Sequence, residues 1–109
     1  MKPEIGNQAA IKFAKERIEQ FIHQESDPEE KILIQNLYID IISFLRVLAR
    51  PDFRQALGDA EYDRAKKIRI GKLREVVNKM KDKNKALILI NKIKEAYPEF
   101  DFTEIVDIF

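Results

Sequence analysis

The sequence predicts an all-α protein, a compact antiparallel bundle of five to six helices that forms a single domain over residues 1–109. Apolar residues recur along most of the chain at the three- and four-residue spacing of one helix face. Helix caps and prolines recur between these stretches and divide the chain into segments. With three glycines and four prolines, the chain also has little material for the frequent turns of an all-β fold.

The second helix carries the strongest start signal, in the sequence SDPEE. Asp27 is placed to cap it, Pro28 suits the first helical position, and Glu30 is placed to complete a capping box. We expect this helix to run to about Arg50, because Pro51 disfavours a helical residue before it.

The remaining helices follow from the same kinds of signal. They are expected at about 7–24, at 51–57, at about 60–81, and from 84 to the residue before Pro98. Asp59 and Asn84 are predicted to cap the last two. Asp101 and Glu104 form a further capping box, which predicts a terminal helical turn in the tail.

The residues that most catalytic and metal sites require are scarce. The chain has no cysteine, and His23 is its only histidine, so two-histidine zinc motifs cannot form. Neither serine lies in a nucleophile turn, and the isolated glycines build no phosphate-binding loop. We therefore predict a protein that is not an enzyme, with no catalytic residues, no metal and no cofactor.

No stretch of the sequence is typical of a membrane or secretory segment. The longest uninterrupted apolar run is five residues, at 86–90, whereas a membrane-spanning helix needs about 20. Charged residues soon interrupt the first segment, which does not match a signal peptide. A cytoplasmic protein without a membrane partner is the expectation.

Charge is distributed unevenly along the chain. The segment 64–85 contains ten Lys or Arg and two acids, a formal charge of +8, so that the rest of a chain of net charge +1 carries −7. On a helix, six of these cations fall on the arc away from the apolar stripe: Arg64, Lys67, Lys72, Arg74, Lys79 and Lys81. Gly71 lies among them, where a missing side chain would let a phosphate approach the backbone. This pattern favours binding to the backbone of RNA or DNA without sequence readout; an acidic protein partner and a merely solvated face are the alternatives.

A second apolar side of helix two concerns assembly. Ile32 and Ile39 lie one heptad apart, away from the main apolar face, and Val47 broadens that side. They predict contact with other protein subunits, including copies of the same chain. In the other interpretation, the short helix or the tail covers them.

A small non-catalytic helical bundle with one basic face resembles the small subunits of CRISPR effector complexes. The overall length, the helical pattern and RAKKIRIGKLREVVNKMKDKNK at 64–85 carry the resemblance. It implies a role in antiviral defence, with several copies stacked along a complex that supports the guide–target duplex or the displaced strand. Small helical immunity proteins and phage-encoded inhibitors are also similar in size, and they imply instead a module that binds and blocks another protein.

Overall fold

The computed structural model contains five α-helices and describes residues 3–48, 50–103 and 105. The helices are α1 (Pro3–Gln24), α2 (Pro28–Leu48), α3 (Pro51–Leu57), α4 (Asp59–Lys79) and α5 (Asn84–Ala96). These residues contain no strand, so the prediction of an all-helical fold is confirmed. None of the five helices has both the length and the apolar character needed to cross a membrane.

The helices pack chiefly in two pairs, α1 with α5 and α2 with α4, and α2 also contacts the other three helices. Contacts along the first pair run in opposite order. Arg17 meets Glu95 at 3.7 Å, whereas Glu25, just after α1, meets Lys85 near the start of α5. The Cα atoms span 46 × 41 × 18 Å, so the molecule is a flat slab about two helix layers thick.

The core lies between α2 and α5 and the inner faces of α1 and α4. Its largest fully buried apolar side chains are Ile18, Ile34, Leu37, Ile41, Leu73, Leu89, Ile93 and Ile105. Helix α4 contributes only Leu73 and Val77 as buried residues. Much of its circumference therefore remains at the surface, which is where its cations lie.

Two helix starts differ from the sequence prediction. Gly58, with φ of +79°, occupies the position before α4, and Asp59 is the first helical residue. The Asp59 carboxylate accepts a hydrogen bond from Nε of Arg54 at 2.9 Å instead of capping the helix. Asn84 is likewise the first residue of α5, and its backbone N–H donates to the Asp82 carboxylate at 3.0 Å. In each case the predicted cap lies one residue inside the helix.

The predicted helix ends also shift slightly. Helix α1 begins at Pro3 instead of about 7, α2 ends at Leu48, and α4 ends at Lys79, which leaves Lys81 in the following turn. In the tail, the Thr103 amide and hydroxyl both donate to the Asp101 carboxylate, at 3.0 and 2.7 Å. This forms a local turn. The predicted partner Glu104 lies outside the described residues.

The start of α2 combines one confirmed prediction with one that is wrong. Asp27 caps the helix, since its Oδ1 accepts the amide of Glu29 at 3.0 Å. Glu30 does not complete a capping box. Its buried carboxylate, only 2% exposed, accepts the backbone amides of Lys81 and Asp82 at 3.0 Å each. Those hydrogen bonds fix the α4–α5 turn onto α2 and satisfy a carboxylate that would otherwise be costly to bury.

Two lysines complete this junction. Nζ of Lys81 donates to Asp27 at 2.6 Å, and Nζ of Lys85 donates to Glu25. The Lys81 hydrogen bond holds the pKa of Asp27 below its ordinary value, and the Lys85 hydrogen bond does the same for the pKa of Glu25. We call Glu25, Asp27 and Glu30 the acidic clasp, because together they bind the α4–α5 turn and the first residues of α5.

Candidate nucleic-acid interface

The structure divides the six predicted phosphate-binding residues. All six are exposed, and five of them lie on α4: Arg64, Lys67, Lys72, Arg74 and Lys79. Lys81 lies beyond the helix, where it is paired with Asp27. The prediction that Lys81 lies on the helical arc with the other five is therefore wrong. Its charge is paired with a carboxylate of the acidic clasp.

The remaining cations differ in whether a carboxylate neutralises them. Arg64 contacts Glu61 one turn earlier, at 3.2 Å. Across the part of the chain that the structure describes, Lys67, Lys72, Arg74 and Lys79 form no salt bridge. We call these four residues the basic face.

The basic face consists of two rows. Lys67 and Arg74 form one row and Lys72 and Lys79 the other, with a heptad spacing in each that corresponds to about 10 Å along the axis. Between the rows lies a strip with Ile68, Gly71, Glu75 and Asn78.

The strip between the rows has a depression at its centre, where Gly71 lacks a side chain. A Cβ atom added at Gly71 would meet nothing within 4 Å, so a ligand can approach the helix backbone there. Glu75 is the single acid in the helix between residues 64 and 79. The strip thus offers space and little opposing charge to an anion that contacts both rows.

Helical geometry alone did not identify Arg69 as part of this surface. Its Cα lies toward the apolar side of α4, yet its side chain is exposed and lines a crevice between α2 and α4. The crevice also involves Lys72 of the basic face. The signal available in the sequence was the length of the arginine side chain, which carries its charge out past an apolar stripe.

In the sequence, Tyr62 falls on the apolar stripe of α4, which favours a place in the core over a surface for stacking bases. It is half-buried, and its ring packs edge-on against Phe53 at 5.8 Å between centroids. The cationic groups of Arg54 and Lys66 lie 5.3 and 5.5 Å from the ring centroid. Three neighbours therefore already contact the ring, which leaves only part of it exposed and does not favour a platform for stacking bases.

Ile32 and Ile39 are strongly exposed, at 57% and 52%. Neither α3 nor the described tail covers them. Ile39 lines a groove of about 540 Å³ between α1 and α2, together with His23 and Tyr38. Val47, assigned to the same side from the sequence, instead lines a pocket toward α3 and α4. The exposed apolar side of α2 thus consists of the two isoleucines without Val47.

The described residues contain no cluster of three or more His, Asp or Glu side chains arranged to hold a metal ion. Comparison with protein-family models, with curated proteins and with solved structures finds no match to this chain. The geometry of α4 and its surroundings is therefore the basis for assigning a function.

Proposed function

We propose that this chain is a non-catalytic, nucleic-acid-binding subunit of a larger nucleoprotein assembly, and that the basic face of α4 contacts the phosphate backbone of RNA or DNA. The observation that carries the proposal is the basic face itself. Its four exposed cations form no salt bridge with any described carboxylate, and they flank the open position at Gly71.

Phosphate binding follows from the physics of such a surface. Solvated lysines and arginines near a polyanion displace condensed counterions, and the entropy of their release favours binding at low salt. Contacts of this kind position a protein on nucleic acid without reading its sequence. Between residues 67 and 79, α4 carries five cations and one acid, a formal charge of +4, and this local excess also attracts a polyanion from a distance.

The scaffold suits this role. We infer a compact antiparallel bundle from the opposite order of contacts along α1 and α5. The acidic clasp holds the end of α4 against α2, so the basic face sits on a rigid helix instead of a loop. Binding to cellular nucleic acid would also fit the expected cytoplasmic location.

Fluorescence anisotropy with labelled oligonucleotides at several salt concentrations tests the proposal. Wild type is compared with the double variant Lys67→Glu/Arg74→Glu, which reverses one complete row of the basic face. We expect the variant to bind every sequence more weakly. Each lost phosphate contact should lower the slope of log affinity against log salt by about 0.7 to 0.9.

The matched control is Lys12→Glu/Lys94→Glu, which makes the same change in net charge at exposed positions on α1 and α5. This control should retain most of the wild-type affinity and its salt dependence. Equal weakening by both double variants would show that net charge matters and the basic face does not. Equal binding by wild type and the Lys67→Glu/Arg74→Glu variant would refute the proposal.

Assembly with other subunits is the second part of the proposal, and exposed Ile32 and Ile39 support it. Light scattering in the presence of an oligonucleotide longer than one binding site measures how many copies associate. The variant Ile32→Ser/Ile39→Ser should remain folded but lose the higher-mass species. The control Leu87→Ser/Ile88→Ser changes two similarly exposed apolar residues on α5 and should leave assembly unchanged.

The same apolar side of α2 favours the alternative function, a module that binds and blocks another protein. Ile39 adjoins a groove large enough for a partner's side chains, which also contains Glu19 and Lys31. That function predicts no binding to nucleic acid even at low salt. It also predicts that the Ile32→Ser/Ile39→Ser variant loses its protein partner while the Lys67→Glu/Arg74→Glu variant retains it.

A further inference from the structure

A crevice between α2 and α4 adjoins the basic face. It has a volume of about 300 Å³ and is lined by Asp40, Phe44, Arg69, Lys72 and Leu73. That volume is at the lower end of the range for small-ligand sites, roughly 300 to 1,000 Å³. Because Lys72 belongs to both the crevice and the basic face, a strand bound along α4 passes the mouth of this crevice.

The chemistry of the crevice differs from that of the basic face. Its floor is apolar, since Phe44 and Leu73 are 2% and 1% exposed. Its rim is charged on both sides, with Asp40 from α2 facing two cations from α4, Arg69 and Lys72.

The rim charges do not neutralise each other by direct contact. Among the described residues, neither Asp40 nor Arg69 nor Lys72 takes part in a salt bridge. The crevice therefore combines a free acceptor, free donors and an apolar floor, a combination that phosphate binding alone does not need.

We propose that the crevice receives one unpaired guanine base of a single-stranded nucleic acid whose backbone lies along the basic face. The Asp40 carboxylate accepts hydrogen bonds from the ring N–H and the amino group on the Watson–Crick edge of guanine. Arg69 donates to O6 and N7, the pair of acceptors that arginine commonly binds on this base. Phe44 and Leu73 exclude water beneath the ring, and Lys72 contacts the adjoining phosphate.

This geometry predicts a preference for single-stranded over double-stranded nucleic acid. A paired base has its Watson–Crick edge occupied and would have to unstack and leave the duplex to enter the crevice, which costs free energy. A base in a single strand is already free of this cost. The inference rests on the proposed function, because the basic face must first hold the strand, and it adds a preference in both strandedness and base.

The probes are labelled pyrimidine oligonucleotides that contain one central guanine, one central adenine or one abasic position, together with the fully paired duplex. Wild type should bind the guanine probe roughly tenfold more tightly than the abasic probe, as expected for a good bidentate base contact. The adenine and duplex probes should resemble the abasic probe.

The informative variant is Asp40→Asn, and the matched control is Glu75→Gln, since each removes one exposed negative charge from this region. The Glu75→Gln variant should bind every probe somewhat more tightly and keep the preference for guanine. The Asp40→Asn variant should gain affinity for the abasic and duplex probes but bind the guanine probe no better than those. Circular dichroism checks that both variants retain their helices.

Several results would overturn the base-binding proposal. These are equal wild-type affinity for the guanine and abasic probes, an unchanged guanine preference in Asp40→Asn, or competition by free guanosine monophosphate as strong as that by the oligonucleotide. The Lys67→Glu/Arg74→Glu variant separates the two proposals. If that variant weakens binding to all probes while wild type shows no base preference, only the crevice proposal fails. If it binds like wild type, or if wild type binds no probe, the proposed function fails as well.

Discussion

Nζ of Lys81 lies 2.6 Å from Oδ2 of Asp27 and so joins the turn that follows α4 to the residue that caps α2. The two residues are 54 positions apart in the chain, yet their junction includes the backbone amide of Lys81, which donates to buried Glu30. Lys81 therefore belongs to the acidic clasp through both its side chain and its main chain. This position gives Lys81 a role different from that of the cations in the basic face.

Reversing the charge of Lys81 should affect folding more than binding. Lys81→Glu would place a new carboxylate beside Asp27 and Glu30, so repulsion replaces an attractive contact and Tm falls. Arg74→Glu, which reverses an exposed cation with no salt bridge to a described residue, should change Tm little. In nucleic-acid binding the order reverses, with Arg74→Glu the more damaging. Thermal unfolding and anisotropy measured on both variants provide the comparison, and the same order in both assays would contradict it.

The buried carboxylate of Glu30 should be the most sensitive single site in the clasp. Glu30→Gln keeps the shape but replaces one of the two acceptor oxygens with an amide NH2 group, a donor that would face a backbone N–H donor. We expect a loss of roughly 1–3 kcal/mol in the free energy of unfolding, measured with urea. The control Glu29→Gln alters the adjacent exposed acid in the first turn of α2, and it should cost less than about 1 kcal/mol. Similar losses in the two variants would show that the hydrogen bonds to the turn contribute little.

The clasp should also make stability depend on pH on the acid side. Hydrogen bonds from Lys81 and Lys85 lower the folded-state pKa of Asp27 and of Glu25. The resulting stability is fully present above the unfolded pKa of about 4 and is lost as pH falls through the lower folded values. Asp27→Asn/Glu25→Gln should therefore flatten the decline of stability below about pH 4, while Asn at position 27 still caps α2. Unfolding curves with the same steep acid decline in both proteins would assign the effect to other carboxylates.

The start of α2 shows how far local sequence determines this fold. The cap at Asp27 was predictable because its partner, the amide of Glu29, lies two residues away. The role of Glu30 was not, because its two carboxylate oxygens accept hydrogen bonds from backbone amides 51 and 52 residues later in the chain. A glutamate three residues after a cap is typical of a capping box. Nothing in the local pattern distinguishes that structure from a long-range contact.

The difference between local patterns and long-range contacts also explains which parts of the candidate interface were predicted correctly. The exposure of Lys67 and Arg74 was predictable because it depends only on helical periodicity and the apolar stripe. The end of α4 was not, because residues 80–83 contain no glycine or proline that would signal a stop. The backbone becomes extended at Met80, with φ of −70° and ψ of 138°, and the following amides bind Glu30. A tertiary contact thus ends the helix and removes Lys81 from it.

Gly71 provides the final prediction, since it affects stability and binding in opposite directions. Glycine inside a helix is less favourable than alanine by about 0.8–1.0 kcal/mol, and a methyl group at this position meets nothing within 4 Å. Gly71→Ala should therefore raise the free energy of unfolding by nearly that amount. If phosphate approaches the backbone between the two rows of the basic face, the same methyl group will lower affinity for nucleic acid several-fold.

Asn78→Ala is the matched control for this prediction, because Asn78 lies one heptad further along the same strip. Alanine also improves helix propensity there, but it removes bulk instead of adding it. The control should gain stability and retain its affinity, whereas Gly71→Ala gains stability and loses affinity. Urea unfolding and anisotropy at one low salt concentration measure both quantities for each variant. Unchanged affinity in Gly71→Ala would place the bound phosphates on the lysine and arginine tips, away from the helix backbone.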